Sequence, residues 1–150
     1  MRLSKKAEYA LRALVAMGRE PAGTTFSIQD LAKQENIPVK FLEQILLALK
    51  NGALLRSKRG VGGGYQLQQA STEITLQQVV ELIDGAFQPI PCCEAAKRRD
   101  QICECGIRGA CGLGRTLAEL ESQVREWLEE TTVAHVIARE TPQEGVSFEI

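Results

Sequence analysis

Residues 27–67 read SIQDLAKQENIPVKFLEQILLALKNGALLRSKRGVGGGYQL. Apolar side chains recur at helical spacing in two runs: the first opens at the candidate N-cap Ser27, and the second covers residues 39–50. Ile37-Pro38 lies between the runs, and proline is tolerated in the first turn of a helix but pushes the preceding residue out of helical geometry. The pattern therefore predicts two short helices joined by a tight turn.

A glycine-rich connector follows the second helix and separates two strand candidates, residues 53–55 and 65–67. A helix, a turn, a second helix and a basic hairpin in this order predict a winged helix-turn-helix, whose second helix enters the DNA major groove. Two packed helices with a solvated turn are the alternative. The candidate DNA contacts are Lys40, Glu43 and Gln44 on the second helix, together with Arg56, Lys58, Arg59, Gly62 and Gly63 in the hairpin.

Charge divides the chain into a basic and an acidic half. The net charge of the 150 residues is −1, but residues 1–70 carry 11 basic and 5 acidic side chains, whereas residues 71–150 carry 7 and 14. This asymmetry indicates a nucleic-acid-binding module joined to a part that does not touch nucleic acid. No apolar run is long enough to cross a membrane and no signal-peptide core follows the N-terminus, so we expect a cytoplasmic protein.

The other elements give a mainly α fold. Helical periodicity predicts a first helix over residues 5–18 and another over residues 76–83, the latter with the capping box Thr75 and Gln78. Neither helical nor strand periodicity appears over residues 86–114. The predicted organisation is a winged helix-turn-helix domain (1–70), a connecting helix (71–85), a cysteine-rich sensor loop (86–114), dimerisation helices (115–140) and a tail (141–150).

The last strong helix, predicted over residues 115–130, carries an apolar seam with alternating spacings of four and three. This a/d pattern extends over about two heptads and favours a contact between two copies of the chain, with packing on its own core as the alternative. The lone histidine, His135, lies beside the apolar stripe of a short final helix and is interpreted as structural or exposed. The seam consists of Leu113, Leu117, Leu120, Val124 and Trp127.

Five cysteines fall within residues 92–111. Thiolates bind iron–sulfur clusters or zinc, and an irregular glycine-containing loop lets several sulfurs converge on a small volume. The spacing by itself does not distinguish a cluster, a zinc site and a metal-free thiol sensor. A cysteine-based enzyme is disfavoured because the only histidine is remote in sequence from every cysteine.

Three segments carry a resemblance to a known family: MRLSKKAEYALRAL at 1–14, IPVKFLEQIL at 37–46 and RGVGGGYQL at 59–67. They resemble the IscR/NsrR-type winged-helix regulators of bacteria, over roughly residues 1–138. The resemblance implies a homodimer on palindromic promoter DNA, a long dimerisation helix and, in many members, an iron–sulfur cluster in the loop before it. It also implies that Lys40, Glu43 and Gln44 read the major groove, while Arg59 reaches the minor groove.

The resemblance further implies a set of cluster ligands. Family cluster binders use three loop cysteines, the last two separated by five residues, as Cys105 and Cys111 are. Cys92 occupies the position of the first of the three cysteines, with Cys93 as its alternate. The gap from Cys92 to Cys105 is longer than is usual in the family. Further candidate ligands are Cys103 and Glu8, the latter from the first helix of the partner subunit. A 2Fe-2S cluster is favoured over 4Fe-4S.

These observations predict a homodimeric transcription regulator, with repression the expected mode, whose promoter binding responds to iron–sulfur, redox or nitric oxide status. One alternative is a cluster-free regulator of the same family that responds to thiol oxidation or to a protein partner. The alternative from another class is a zinc-binding adaptor or a cysteine-based enzyme.

Overall fold

The computed structural model describes residues 2–90 and 111–140. In these residues the fold is mainly helical with one antiparallel hairpin, which confirms the predicted fold class. Cys92, Cys93, Cys103 and Cys105 and the predicted tail lie outside the described residues. The elements are α1 (Lys5–Gly18), α2 (Ile28–Glu35), α3 (Val39–Asn51), β1 (Leu55–Lys58), β2 (Gly64–Leu67), α4 (Leu76–Asp84), α5 (Gly112–Glu130) and α6 (Val133–Ala138).

Local capping begins the first two helices at the predicted residues. The Oγ of Ser4 accepts the Ala7 N–H at 3.0 Å, and the Oγ of Ser27 accepts the Asp30 N–H at 3.1 Å. α2 ends at Asn36, whose φ of 52° is left-handed, a conformation that asparagine adopts more readily than most residues. The tight turn of the helix-turn-helix therefore forms where the sequence predicts it.

The core lies where α1, α2 and α3 meet. α1 contributes mostly small buried side chains, which allow the other helices to approach it closely, and α3 contributes larger ones. The apolar spacing in α3 therefore predicted its buried face correctly. The buried residues are Ala7, Ala10, Ala13, Leu14, Val15, Ala16 and Met17 on α1 and Leu42, Ile45, Leu46 and Leu49 on α3.

The hairpin begins later than the sequence predicted. Ala53 has a φ of 59°, which is incompatible with an extended strand, so the predicted strand at residues 53–55 is wrong. β1 starts at Leu55 and runs on to Lys58, into the segment that was predicted to be a connector. Leu55 pairs with Leu67, and Lys58 pairs with Gly64. Two of the predicted DNA contacts therefore lie on a strand of fixed register.

The hairpin is also joined to the loop before α2, which the sequence did not predict. Phe26 and Tyr65 exchange two backbone hydrogen bonds, at 2.8 and 2.9 Å. At Gly64 the two backbones come so close that a Cβ would lie 2.1 Å from the Phe26 carbonyl oxygen. Glycine at this position allows the contact, and the contact fixes the hairpin against the helical domain.

Two later helices, α4 and α6, pack against α1 of the N-terminal domain. α4 has the predicted capping box, because Thr75 and Gln78 each accept the other's backbone N–H, and the Ser4 N–H donates to the carboxylate of Asp84 at 2.8 Å. Val133 of α6 is fully buried in the same core as α1. α6 was grouped with α5 in the predicted dimerisation helices, but it packs on α1. None of the helices in the described ranges is long and apolar enough to span a membrane.

Candidate nucleic-acid interface

The outward face of α3 presents the three side chains predicted to read bases. Lys40, Glu43 and Gln44 are all exposed, and the buried side chains of the helix lie on the opposite face. Pro38 precedes the helix without a side-chain capping bond, so no capping side chain covers this end. The side chains available to a major groove are thus charged or amide groups near the start of the helix, where recognition helices contact bases.

Aromatic and cationic residues of α1 support the start of α3. The ring of Tyr9 meets the ring of Phe41 edge to face, with centroids 5.7 Å apart. The Lys5 ammonium lies 5.0 Å and the Arg12 guanidinium 5.5 Å from the Tyr9 ring centroid. Arg12 also donates a hydrogen bond to the backbone carbonyl of Glu35, at the end of α2. These contacts position the turn and both of its helices. The sequence analysis missed the two that join α1 to the helix-turn-helix, Tyr9 with Phe41 and Arg12 with Glu35, because they link residues more than 20 positions apart.

The hairpin presents its basic residues on the side away from the core. Alternation along β1 puts Arg56 and Lys58 on one face, while Leu55 is buried on the other. Arg59 follows in the turn and is exposed. The three cations lie within four consecutive residues. This arrangement suits phosphate neutralisation, because phosphate contacts are made by Lys and Arg at the surface.

Gln66 connects the hairpin to the loop between α1 and α2, and sequence reasoning missed this residue. The Arg56 Nε–H donates to Gln66 Oε1 at 3.0 Å. The Gln66 amide nitrogen donates to the Gly23 carbonyl at 3.0 Å and to Thr25 Oγ1 at 2.7 Å. One N–H donor of Arg56 is therefore engaged in an intramolecular hydrogen bond. The sequence signal for this role was the position of Gln66 in the strand that pairs with the strand of Arg56. No sequence signal pointed to the partners of Gln66 in the loop, Gly23 and Thr25.

The turn of the hairpin contains Gly62 and Gly63, the two glycines among the predicted DNA contacts. Gly62 is exposed at the tip with a φ of 74°. At Gly63 a Cβ would lie 2.5 Å from the Lys58 carbonyl oxygen, and the Gly63 N–H donates to the Gly60 carbonyl at 3.0 Å. The absence of a side chain at Gly63 is thus required by the turn itself, in addition to any approach to DNA.

Of the predicted metal ligands, Cys111 and Glu8 lie in the described part of the chain. The Cys111 Sγ accepts the Gly114 N–H at 3.4 Å, so α5 begins at Gly112, three residues before the predicted start. Glu8 forms ion pairs with Lys5 at 2.8 Å and Arg12 at 3.8 Å. The hydrogen bond from Lys5, above all, lowers the pKa of Glu8. Within residues 2–90 and 111–140, no three ligating side chains form a metal site.

The seam of α5 is largely uncovered. Leu113 is 64% exposed and Trp127 is 50% exposed, whereas the three seam residues between them are half-buried. Only Gly114 and Glu121 of the 19 residues in α5 are buried. Beside the seam, a groove of about 630 Å³ lies between α5 and the end of α4. Its lining includes Leu3, Val80, Phe87, Leu120, Val124 and Trp127.

His135 has a capping role. Its Nδ1 accepts the Thr132 N–H at 3.1 Å while the Thr132 Oγ1 accepts the His135 N–H at 3.3 Å, a reciprocal pair that begins α6. The side chain is exposed on the surface of the domain.

A helix-turn-helix followed by a basic hairpin defines a winged-helix DNA-binding protein, and the comparisons with known proteins make this class more specific. The chain belongs to the Rrf2 family, described as iron-dependent transcriptional regulators, whose model matches residues 3–139. A protein of Mycobacterium tuberculosis named as an HTH-type transcriptional regulator is 37% identical over 149 residues, covering 95% of this chain and 85% of that protein.

Other relatives agree with this class. The transcriptional regulator IscR of Photobacterium profundum is 26% identical, covering 96% of this chain and 80% of that protein. In fold, the chain matches CymR of Bacillus subtilis, a global cysteine regulator, with a TM-score of 0.75 at 22% identity over 94% of this chain and 99% of that one. It also matches IscR of T. potens, with a TM-score of 0.71 at 17% identity over 95% and 93%. These proteins are transcriptional regulators rather than enzymes, in agreement with the prediction.

Proposed function

We propose that two copies of this chain bind a palindromic promoter site, and that an iron–sulfur cluster held by the cysteine segment controls their affinity for it. The observation that carries the proposal is the pairing of a complete winged helix-turn-helix with a long helix whose apolar seam is only partly covered by its own chain. Regulators of this class read two half-sites through a two-fold axis. DNA binding, dimerisation and cluster binding are separable parts of the proposal.

In the proposed complex, α3 lies in the major groove and the hairpin follows the adjacent backbone. Lys40, Glu43 and Gln44 contact base edges, Arg59 enters the minor groove, and Arg56 and Lys58 neutralise phosphate. Gly62 and Gly63 let the turn approach the duplex. The support is the common exposure of these cations and the fixed register of β1.

We expect Arg59→Ala, and separately the double variant Lys40→Ala/Gln44→Ala, to weaken promoter binding at least about tenfold, since each lost base contact costs about 1–3 kcal/mol. Fluorescence anisotropy with a duplex selected in vitro by the protein measures the effect. Arg139→Ala removes an exposed cation just after the end of α6 and is the matched control. Unchanged affinity in both DNA-face variants, with a flat dependence on salt in the parent, would contradict the groove assignment.

The dimer is proposed to form along α5. A 19-residue helix with two buried residues gains little from the core of its own chain, and most helical stability in proteins comes from packing an apolar face. The occupant that fits the seam and the adjoining groove is the same surface of a second copy, because the a/d spacing is self-complementary across a two-fold axis. The predicted ligand Glu8 would then come from the partner subunit.

The proposed cluster ligands are Cys92 or Cys93, Cys105 and Cys111, with Glu8 or Cys103 as further candidates. Cys111 fits this role because its sulfur lies at the start of α5, and a ligated thiolate still accepts a backbone N–H such as that of Gly114. When bound, a 2Fe-2S cluster supplies a group that reacts with oxidants and nitric oxide. Glu8 would have to exchange its ion pairs with Lys5 and Arg12 for the metal.

Oxygen-free purification tests the cluster. We expect iron and labile sulfide in equal amounts, a visible absorption spectrum, and a change in promoter affinity after chelation. Cys111→Ser should lower the iron content, whereas Ser122→Ala, a change of similar size on the same helix, should not. Colourless protein without iron or sulfide would contradict this part, and zinc as the only metal would favour a structural zinc site.

A cluster-free regulator is the second candidate, and the number of cysteines favours considering it. The segment contains five thiols, two more than a three-cysteine cluster site needs, so Cys93 and Cys103 are available for oxidation. In that case, metal-free protein would bind the promoter and mild oxidation would change its affinity. A protein partner that changes the affinity of metal-free protein would support the same candidate.

A further inference from the structure

A leucine lies in the middle of the polar outward face of α3. Leu47 is 51% exposed, although the apolar stripe of the helix is already satisfied by Leu42, Ile45, Leu46 and Leu49. At about 100° per residue, Leu47 points within roughly 20° of the direction of Lys40. It projects between Glu43 and Gln44, one turn further along the helix.

The position of Leu47 is opposite to the core and continuous with the proposed base-reading surface. The centre of the buried stripe lies on the far side of α3, so inward repacking of this side chain would require the helix to rotate. Leu82 of α4 is also partly exposed, at 40%, but unlike Leu47 it packs against another element. It fills the space beside Gly52, so a Cβ added to Gly52 would lie 2.4 Å from a Leu82 methyl. Leu47 is the leucine that α3 presents outward among polar side chains.

We propose that Leu47 is a specificity residue that contacts the 5-methyl group of a thymine in the major groove. The inference rests on the proposed function, because it requires α3 to lie in that groove. The thymine methyl is the apolar feature on the major-groove edge of the base pairs, and an aliphatic side chain can select it without a hydrogen bond. Polar neighbours at positions 40, 43 and 44 would read adjacent bases.

Helix geometry limits where this thymine lies. Leu47 lies seven positions after Lys40, a distance of about 10.5 Å along α3. Base pairs are stacked about 3.4 Å apart, so the thymine lies within about three base pairs of the base contacted by Lys40. A two-fold symmetric site contains one such thymine in each half.

Replacing thymine by deoxyuridine removes only the methyl group and tests the contact directly. A duplex selected in vitro by the protein is resynthesised with deoxyuridine at one thymine position of both half-sites at a time, and affinities are measured for the parent and for Leu47→Ala. For the parent we expect one position at which affinity falls about three- to tenfold per half-site, the effect of losing one buried methyl-sized contact. Leu47→Ala binds the thymine and deoxyuridine duplexes at that position equally well.

Leu82→Ala is the matched control. Like the parent, it should bind the thymine duplex more tightly than the deoxyuridine duplex. Because Leu47 is exposed, Leu47→Ala keeps the parent's thermal midpoint, and Leu47→Met, which retains an apolar contact, keeps part of the methyl dependence. If every deoxyuridine position affects the parent and Leu47→Ala equally, the inference is wrong. If Lys40→Ala/Gln44→Ala also leaves affinity unchanged, the groove assignment fails with it; if that variant weakens binding, only the role of Leu47 is lost.

Discussion

α3 and α5 are both amphipathic, but they use their apolar faces differently. α3 buries four of its 13 residues in the core of its own chain, and Leu42, Ile45 and Leu49 have no exposed surface. α5 is longer, buries two of its 19 residues and leaves Trp127 half exposed. The DNA-binding domain is therefore complete within one chain. α5 has a face that one chain does not cover, which is the physical basis of the proposed dimer.

Removing apolar volume from α3 should have the largest effect on stability. Leu42→Ala leaves a cavity in a fully buried position, so we expect the free energy of unfolding to fall by about 2–5 kcal/mol. Urea denaturation followed by circular dichroism measures the change. Leu47→Ala makes the same substitution at an exposed position of the same helix and should stay within about 0.5 kcal/mol of the parent. Equal losses in the two variants would contradict the assigned faces of α3.

A charge in the seam of α5 should separate dimerisation from folding. Val124→Glu places a carboxylate where the second copy would exclude water, so we expect the dimer dissociation constant to rise at least about 100-fold, equivalent to about 2.7 kcal/mol. Analytical ultracentrifugation measures the association, and urea denaturation of the N-terminal domain should change little.

Ser122→Glu is the control for this variant. It adds the same charge about 180° around the helix from the seam, and it should leave the association state unchanged. Loss of the dimer in both variants, or in neither, would mean that the seam is not the contact between the two copies.

The contact between Arg19 and Glu140 should give the smallest effect, which depends on pH. The hydrogen bond from the Arg19 guanidinium holds the pKa of Glu140 below its usual value. A depressed pKa contributes stability above the unfolded-state pKa of about 4.3, and this contribution is lost as pH falls through the folded-state pKa. Glu140→Gln should therefore melt slightly below the parent at pH 7, and the difference should shrink as the pH falls below the unfolded-state pKa and through the lowered pKa of Glu140.

Salt provides a further check on this prediction. The two side chains are partly exposed, so 1 M NaCl should reduce the difference in melting temperature at pH 7. Glu129→Gln, which removes an exposed carboxylate of α5, is the matched control for the change of side chain. A difference that does not shrink as the pH falls below about 4.3 would assign the effect to something other than the ionised carboxylate.

Most helix boundaries followed from the sequence because capping is local. Ser4, Ser27 and Thr75 each accept an N–H three residues ahead, so the signal and the structure it sets lie within one turn. The start of α5 was predicted three residues late because Cys111 acts as its N-cap, and cysteine is not among the residues usually found there. The start of β1 was wrong because Ala53 adopts a left-handed conformation that alanine rarely takes.

The sequence by itself determined the order of helices, the turn between α2 and α3, the basic hairpin and the apolar seam, since periodicity and capping act over a few residues. Only the tertiary structure decided that Phe26 and Gln66 fix the hairpin to a distant loop and that α6 joins the core beside α1. Contacts between residues 39 or more positions apart depend on how the elements pack, and no local pattern encodes that packing.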